Sequence, residues 1–93
     1  MFIACGQIEL FIPDSESLKA KRFVLKSIKT KIRNKFNVSV AEVGYLDKWQ
    51  RSTVGIAAVS NDKKIAEETI RNVIKAIEND YRAEVTDFSI ELL

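Results

Sequence analysis

The chain is 93 residues long, 46% hydrophobic and 30% charged, with a net charge of +2 and a pI near 8.8. Those totals describe one globular domain, exclude a disordered or strongly basic protein, and make any nucleic-acid role depend on where the charges sit. With no histidine and a single cysteine, Cys5, the chain lacks the usual neutral-pH acid–base group, an internal disulfide and any multi-thiolate metal site.

Residues 2–12 alternate, with Phe2, Ala4, Gly6, Ile8, Leu10 and Ile12 on one face and Ile3, Cys5, Gln7, Glu9 and Phe11 on the other. A period of two reads as a half-buried strand. No basic region opens the segment and Gln7 and Glu9 interrupt it, which argues against a signal or membrane-spanning stretch. Cys5 is then a small strand residue, and a reduced, cytoplasmic setting is expected. Pro13-Asp14-Ser15 ends the strand, and Ser15 or Ser17 can cap a helix that starts near Leu18. That helix is expected to run to about Phe36, with Leu18, Val24, Leu25, Ile28, Ile32 and Phe36 facing the core.

A second strand follows at Val38–Tyr45, and Gly44 with Asp47-Lys48 marks a short hairpin to a third at Trp49–Ser60. Asn61-Asp62 then opens a second helix whose buried stripe is Ala66, Ile70, Val73, Ile74, Ile77 and Tyr81. The last strand covers about 83–92, with Val85 on the opposite face from Phe88, Ile90 and Leu92. The order β-α-β-β-α-β, with right-handed crossovers, gives an α+β, ferredoxin-like fold. Strands one and three are central in a four-stranded antiparallel sheet, both helices cover one face, and residues 1–93 form a single domain.

Eight of the fifteen basic residues lie between Lys19 and Lys35, and no acid occurs from Ser17 to Ala41. On the helical wheel Lys19, Arg22, Lys26, Lys29 and Arg33 align at i, i+3, i+4 spacing, a ridge about 21 Å long, with Lys21, Lys31 and Lys35 flanking the other side. The second helix interleaves Glu67, Glu68 and Glu78 with Lys64, Arg71 and Lys75. A phosphate backbone is the natural partner for the acid-free ridge. In the third strand Trp49 and Arg51 fall on the face that no helix covers, where a ring and a guanidinium can stack on and pair with a nucleotide.

Other uses of the fold lack their residues. Ile3, Cys5, Thr53 and Gly55 are not the aromatics of an RNA-recognition motif, and no C-x-x-C is present. "IPDSES" replaces a glycine-rich phosphate loop after the first strand, and Asp14 with Glu16 reads as helix-end charge compensation. No catalytic residue, metal ligand or cofactor is called for.

Ser17-Leu18-Lys19, Lys21-Arg22, Arg33-Asn34 through Glu42, Trp49-Gln50-Arg51 and Asn61-Asp62 together resemble the YlxP-like family of small bacterial proteins of unknown function. The resemblance spans essentially the whole chain. It implies a ferredoxin-like fold and a genomic neighbourhood among translation and ribosome-maturation genes, and it brings no catalytic residues. The expectation is a cytoplasmic, non-enzymatic RNA- or ribosome-associated binding module with no membrane contact. Lys19, Arg22, Lys26, Lys29 and Arg33 would meet phosphates, and Trp49 with Arg51 would add stacking. Two alternatives belong to other classes: a small-molecule-sensing regulatory domain, and a structural homodimer through the open sheet face using Trp49, Phe11 and Ile3.

Overall fold

A computed structural model describes residues 1–93. The elements are β1 (Phe2–Phe11), α1 (Leu18–Lys35), β2 (Ser39–Gly44), β3 (Arg51–Ser60), α2 (Lys63–Glu78) and β4 (Glu84–Leu92). The sheet is antiparallel in the order β2-β3-β1-β4, so the ferredoxin-like plan and the two central strands are as expected. Both helices contribute to one 17-residue core cluster with the even-numbered side chains of β1 and β3. At Gly6 the strand passes so close to α2 that an added Cβ would lie 2.8 Å from Ile70 Cγ2; the β1–α2 packing therefore requires a residue without a side chain there.

Both helix starts follow from their caps. Ser17 Oγ accepts from the Ala20 amide at 2.9 Å, and Asp62 Oδ1 accepts from the Lys64 and Ile65 amides at 2.9 and 3.1 Å. Four boundaries or faces differ from the sequence reading. β3 begins at Arg51, because residues 49–50 form a bend. The β2–β3 connection is the six-residue stretch Tyr45–Gln50, with Tyr45 at a φ of 57°. α2 stops at Glu78, the chain turns at Asn79-Asp80, and Tyr81 is 95% exposed rather than part of the buried stripe. A register shift opposite Glu9 and Leu10 brings Val85 opposite Leu10. This bulge moves Val85 to the core side, against the expected alternation.

The turn after α2 is tied to α1. The Arg82 guanidinium donates to both Asp80 carboxylate oxygens (3.0 and 2.7 Å) and to Ser27 Oγ (2.9 Å). Those hydrogen bonds from Arg82 hold the Asp80 carboxyl below the usual carboxylate range, against the opposing effect of burial and with a smaller contribution from Lys31. A carboxyl whose pKa is depressed on folding contributes stability above its unfolded value, and that stability is lost as the pH falls through the folded value. Asp80→Asn is therefore expected to lower stability at neutral pH by about 1.5–3 kcal/mol, the usual worth of hydrogen bonds to a charged group. In urea titrations the difference from wild type should shrink as the pH drops below about 3.9. A difference that stays constant down to strongly acid pH would refute the linkage.

Candidate functional site

α1 is held with one face inward by an unusual core residue. Lys21 is completely buried, and its ammonium has three partners. Glu42 Oε2 on β2 lies at 2.8 Å, and the Tyr45 and Arg51 carbonyl oxygens accept at 2.7 and 3.2 Å. Glu42 Oε2 also accepts from Ser52 Oγ at 2.8 Å. Lys21 was expected to flank the ridge as a surface charge. It instead heads the buried stripe of Leu25, Ile28 and Ile32, one turn before Leu25, and clamps both ends of the β2–β3 connection to the first turns of α1. Its wheel position, in line with those three residues, was the available signal; it was overshadowed by the surrounding run of lysines.

The ridge itself stays at the surface. Lys19, Arg22, Lys26 and Arg33 are exposed and Lys29 is half-buried. None of the five has a carboxylate within the 4.0 Å of a salt bridge, whereas Lys31 lies 3.9 Å from Asp80, and Arg71 and Lys64 pair with Glu67 and Glu68 on α2. Arg22, Lys26, Lys29 and Arg33 line one open groove of about 430 Å³ beside β2, together with Leu25, Thr30 and Glu42. Arg33 closes one wall by donating to the Val40 carbonyl at 3.0 Å. Lys19 lies outside the groove at the start of the ridge. The groove thus concentrates four cations with a single acid, and that acid is already engaged by Lys21 and Ser52.

Arg51 falls on the helix-free face as expected, opposite Phe11 of β1, whereas Trp49 lies outside β3, 56% exposed in the bend. The Arg51 guanidinium instead lies over the Tyr45 ring, 4.6 Å from its centroid. Gln50, between Trp49 and Arg51, is the fixed point: it accepts the Ile12 amide at 2.8 Å through its carbonyl and donates to the Pro13 carbonyl at 3.0 Å through its side chain. Tyr45 was missed because its role depends on a positive φ that turns the chain back on itself. Lys21 brings this connection beside the N-terminal end of α1, so the two groups of predicted residues are neighbours without forming one pocket.

The helix-free face carries Ile3, Phe11, Val43 and Val59 around a trough of small residues, Cys5, Ala41, Gly55 and Ala57. Its register also places Glu9, Glu84, Asp87 and Glu91 there against Arg51 alone. Pairing that face with its own copy would bring an excess of like charge together, which opposes a homodimer through this surface.

No helix is long and apolar enough to cross a membrane. Residues 3–90 match a family described as "Protein of unknown function (DUF503)". The chain is 47% identical over 77 residues to the "Uncharacterized protein YlxP" of Bacillus subtilis (strain 168), an alignment covering 83% of this chain and 84% of that protein. The YlxP-like resemblance carried by the helix and hairpin motifs is thereby borne out.

Proposed function

The chain belongs to the DUF503 family, and from that starting point we propose that it is a non-enzymatic RNA-binding module that acts on or near the ribosome. One observation carries the reading: five aligned cations on α1 lack any salt-bridge partner within the fold, and four of them share a groove. Like charges at i, i+3 and i+4 spacing destabilise an isolated helix by a few tenths of a kcal/mol per pair, so the fold gains nothing from their alignment. An anion with regularly spaced charges does. A phosphodiester strand laid along the ridge would release counterions at every neutralised phosphate. Thr30 adds a hydroxyl for sugar oxygens.

Wild-type protein titrated into labelled RNA at several salt concentrations tests this. For five phosphate contacts to a single strand, log K should fall with log salt at a slope of about −3.5, at about −0.7 per contact. Co-sedimentation with ribosomal subunits, repeated after nuclease treatment, separates RNA-mediated from protein-mediated association. A folded protein that binds no RNA at low salt overturns the reading.

A further inference from the structure

Phe23 is the exposed large apolar residue of α1, 72% accessible, on the side of the helix opposite Lys21. Neither packing nor propensity accounts for it: the ring buries little within the fold, and Phe is a poorer helix former than the Lys and Arg around it. Its π-face is also unclaimed, since the cation–π contacts in the molecule are Lys35 with Phe36 and Arg51 with Tyr45. A shallow depression of about 370 Å³ runs beside the ring, lined by Lys26, Ser27, Thr30 and Lys31. Lys26 and Thr30 line the cationic groove as well. The aromatic surface and the anion-attracting surface therefore share a wall.

We propose that Phe23 is a stacking platform for an unpaired RNA base whose neighbouring phosphates lie on Lys26 and the groove cations. This rests on the RNA-binding reading above and narrows it to a ligand class: single-stranded RNA, or a helix with an extruded nucleotide. Phe has no hydrogen-bonding group, so its contribution to RNA binding comes through the face of its ring. A blunt duplex keeps its base faces stacked on one another and offers a helix ridge only sugars and phosphates. A base freed from its stack presents the face that Phe23 can cover, with no demand on sequence. Thr30 at the rim supplies a hydroxyl for the ribose, whose 2′-hydroxyl distinguishes RNA from DNA.

The test compares three labelled RNAs: an unstructured strand, a blunt two-stranded duplex, and the same duplex with one bulged nucleotide. Wild type should favour the strand and the bulged duplex. Phe23→Ala should weaken those two by about tenfold, within the range for loss of one stacked base, and leave the blunt duplex unchanged. Phe23→Tyr should retain the preference. Because the side chain is exposed, the melting temperature of Phe23→Ala should match wild type, so a loss cannot be ascribed to misfolding. If wild type binds all three alike and Phe23→Ala is silent, RNA binding stands and the stacking assignment is wrong. If wild type binds none, the RNA reading falls and takes this one with it. Tighter binding of polyglutamate than of RNA at matched charge and salt, alongside a silent Phe23→Ala, would assign the face to an acidic protein and overturn the proposal.

Discussion

Lys21→Ala is expected to destabilise the protein by about 3–5 kcal/mol, the range for removing one partner of a buried ion pair. For a domain whose total stability is on the order of 5–15 kcal/mol, that is a large part of the whole. Three acceptors lose their donor at once. Glu42, with a side chain only 14% exposed, is left with Ser52 Oγ alone, and the Tyr45 and Arg51 carbonyls lose the ammonium. Lys21→Met should be nearly as damaging although it retains much of the packed stem, because the loss is electrostatic rather than one of volume. Adding Glu42→Leu to Lys21→Met should recover part of the stability by removing the stranded charge. Recovery should stop short, since both carbonyls still lack the ammonium, Tyr45 O keeping only the Lys48 amide, and Ser52 then lacks its acceptor. Urea unfolding at neutral pH reads this as a lower midpoint with an unchanged slope. A loss below about 1 kcal/mol for Lys21→Ala would mean that the ammonium does not close this network.

The same clamp links the core to the proposed site. Tyr45 O accepts from the Lys48 amide at 3.0 Å as well as from Lys21, so the reversal of the chain at Tyr45 is held from both within and outside the connection. Arg51 lies over Tyr45 on the far side of the sheet from the groove. Loosening Lys21 should therefore free the connection before it disturbs the ridge, with faster amide exchange at Lys48 than at the α1 residues.

The element order was legible because each segment keeps its own period: two in residues 2–12, and 3.6 in the helices. The ridge was legible for the same reason, since helical spacing alone aligns Lys19, Arg22, Lys26, Lys29 and Arg33. Lys21 was equally visible on the wheel, but a lysine enters a core only when acceptors from distant residues meet it. Those acceptors, Glu42, Tyr45 and Arg51, come from 21 to 30 positions away. The bulge that turns Val85 inward depends on the pairing of β4 with β1, which no local pattern in residues 84–92 encodes. Trp49 was read into β3 by extrapolating an alternation that the bend at residues 49–50 interrupts. Phe23 fell outside the reading because it belongs to neither the apolar stripe nor the charged ridge.

Reversing two charges at the middle of the ridge, Lys26→Glu with Lys29→Glu, should have the largest effect on RNA binding. Both side chains line the groove, and losing two phosphate contacts should flatten the salt slope by about 1.4, at about 0.7 per contact on a single strand. Extrapolated from a 1 M reference, where the counterion contribution vanishes, that slope corresponds to about 25-fold weaker binding at about 0.1 M salt. Repulsion between the new carboxylates and phosphate adds to the loss. The fold should tolerate the change: the new acids would face Arg22 and Arg33 at i,i+4 spacing, relieving like-charge repulsion rather than creating it. The control is Lys64→Glu with Lys75→Glu on the exposed face of α2, which lowers the net charge by the same amount without touching the groove. That pair should reduce affinity only weakly and leave the slope near its wild-type value, because charges farther away than about one Debye length, about 10 Å at 0.1 M salt, are largely screened. Equal losses in the two double mutants would show that RNA responds to overall charge rather than to the ridge, and the α1 groove would no longer be the site.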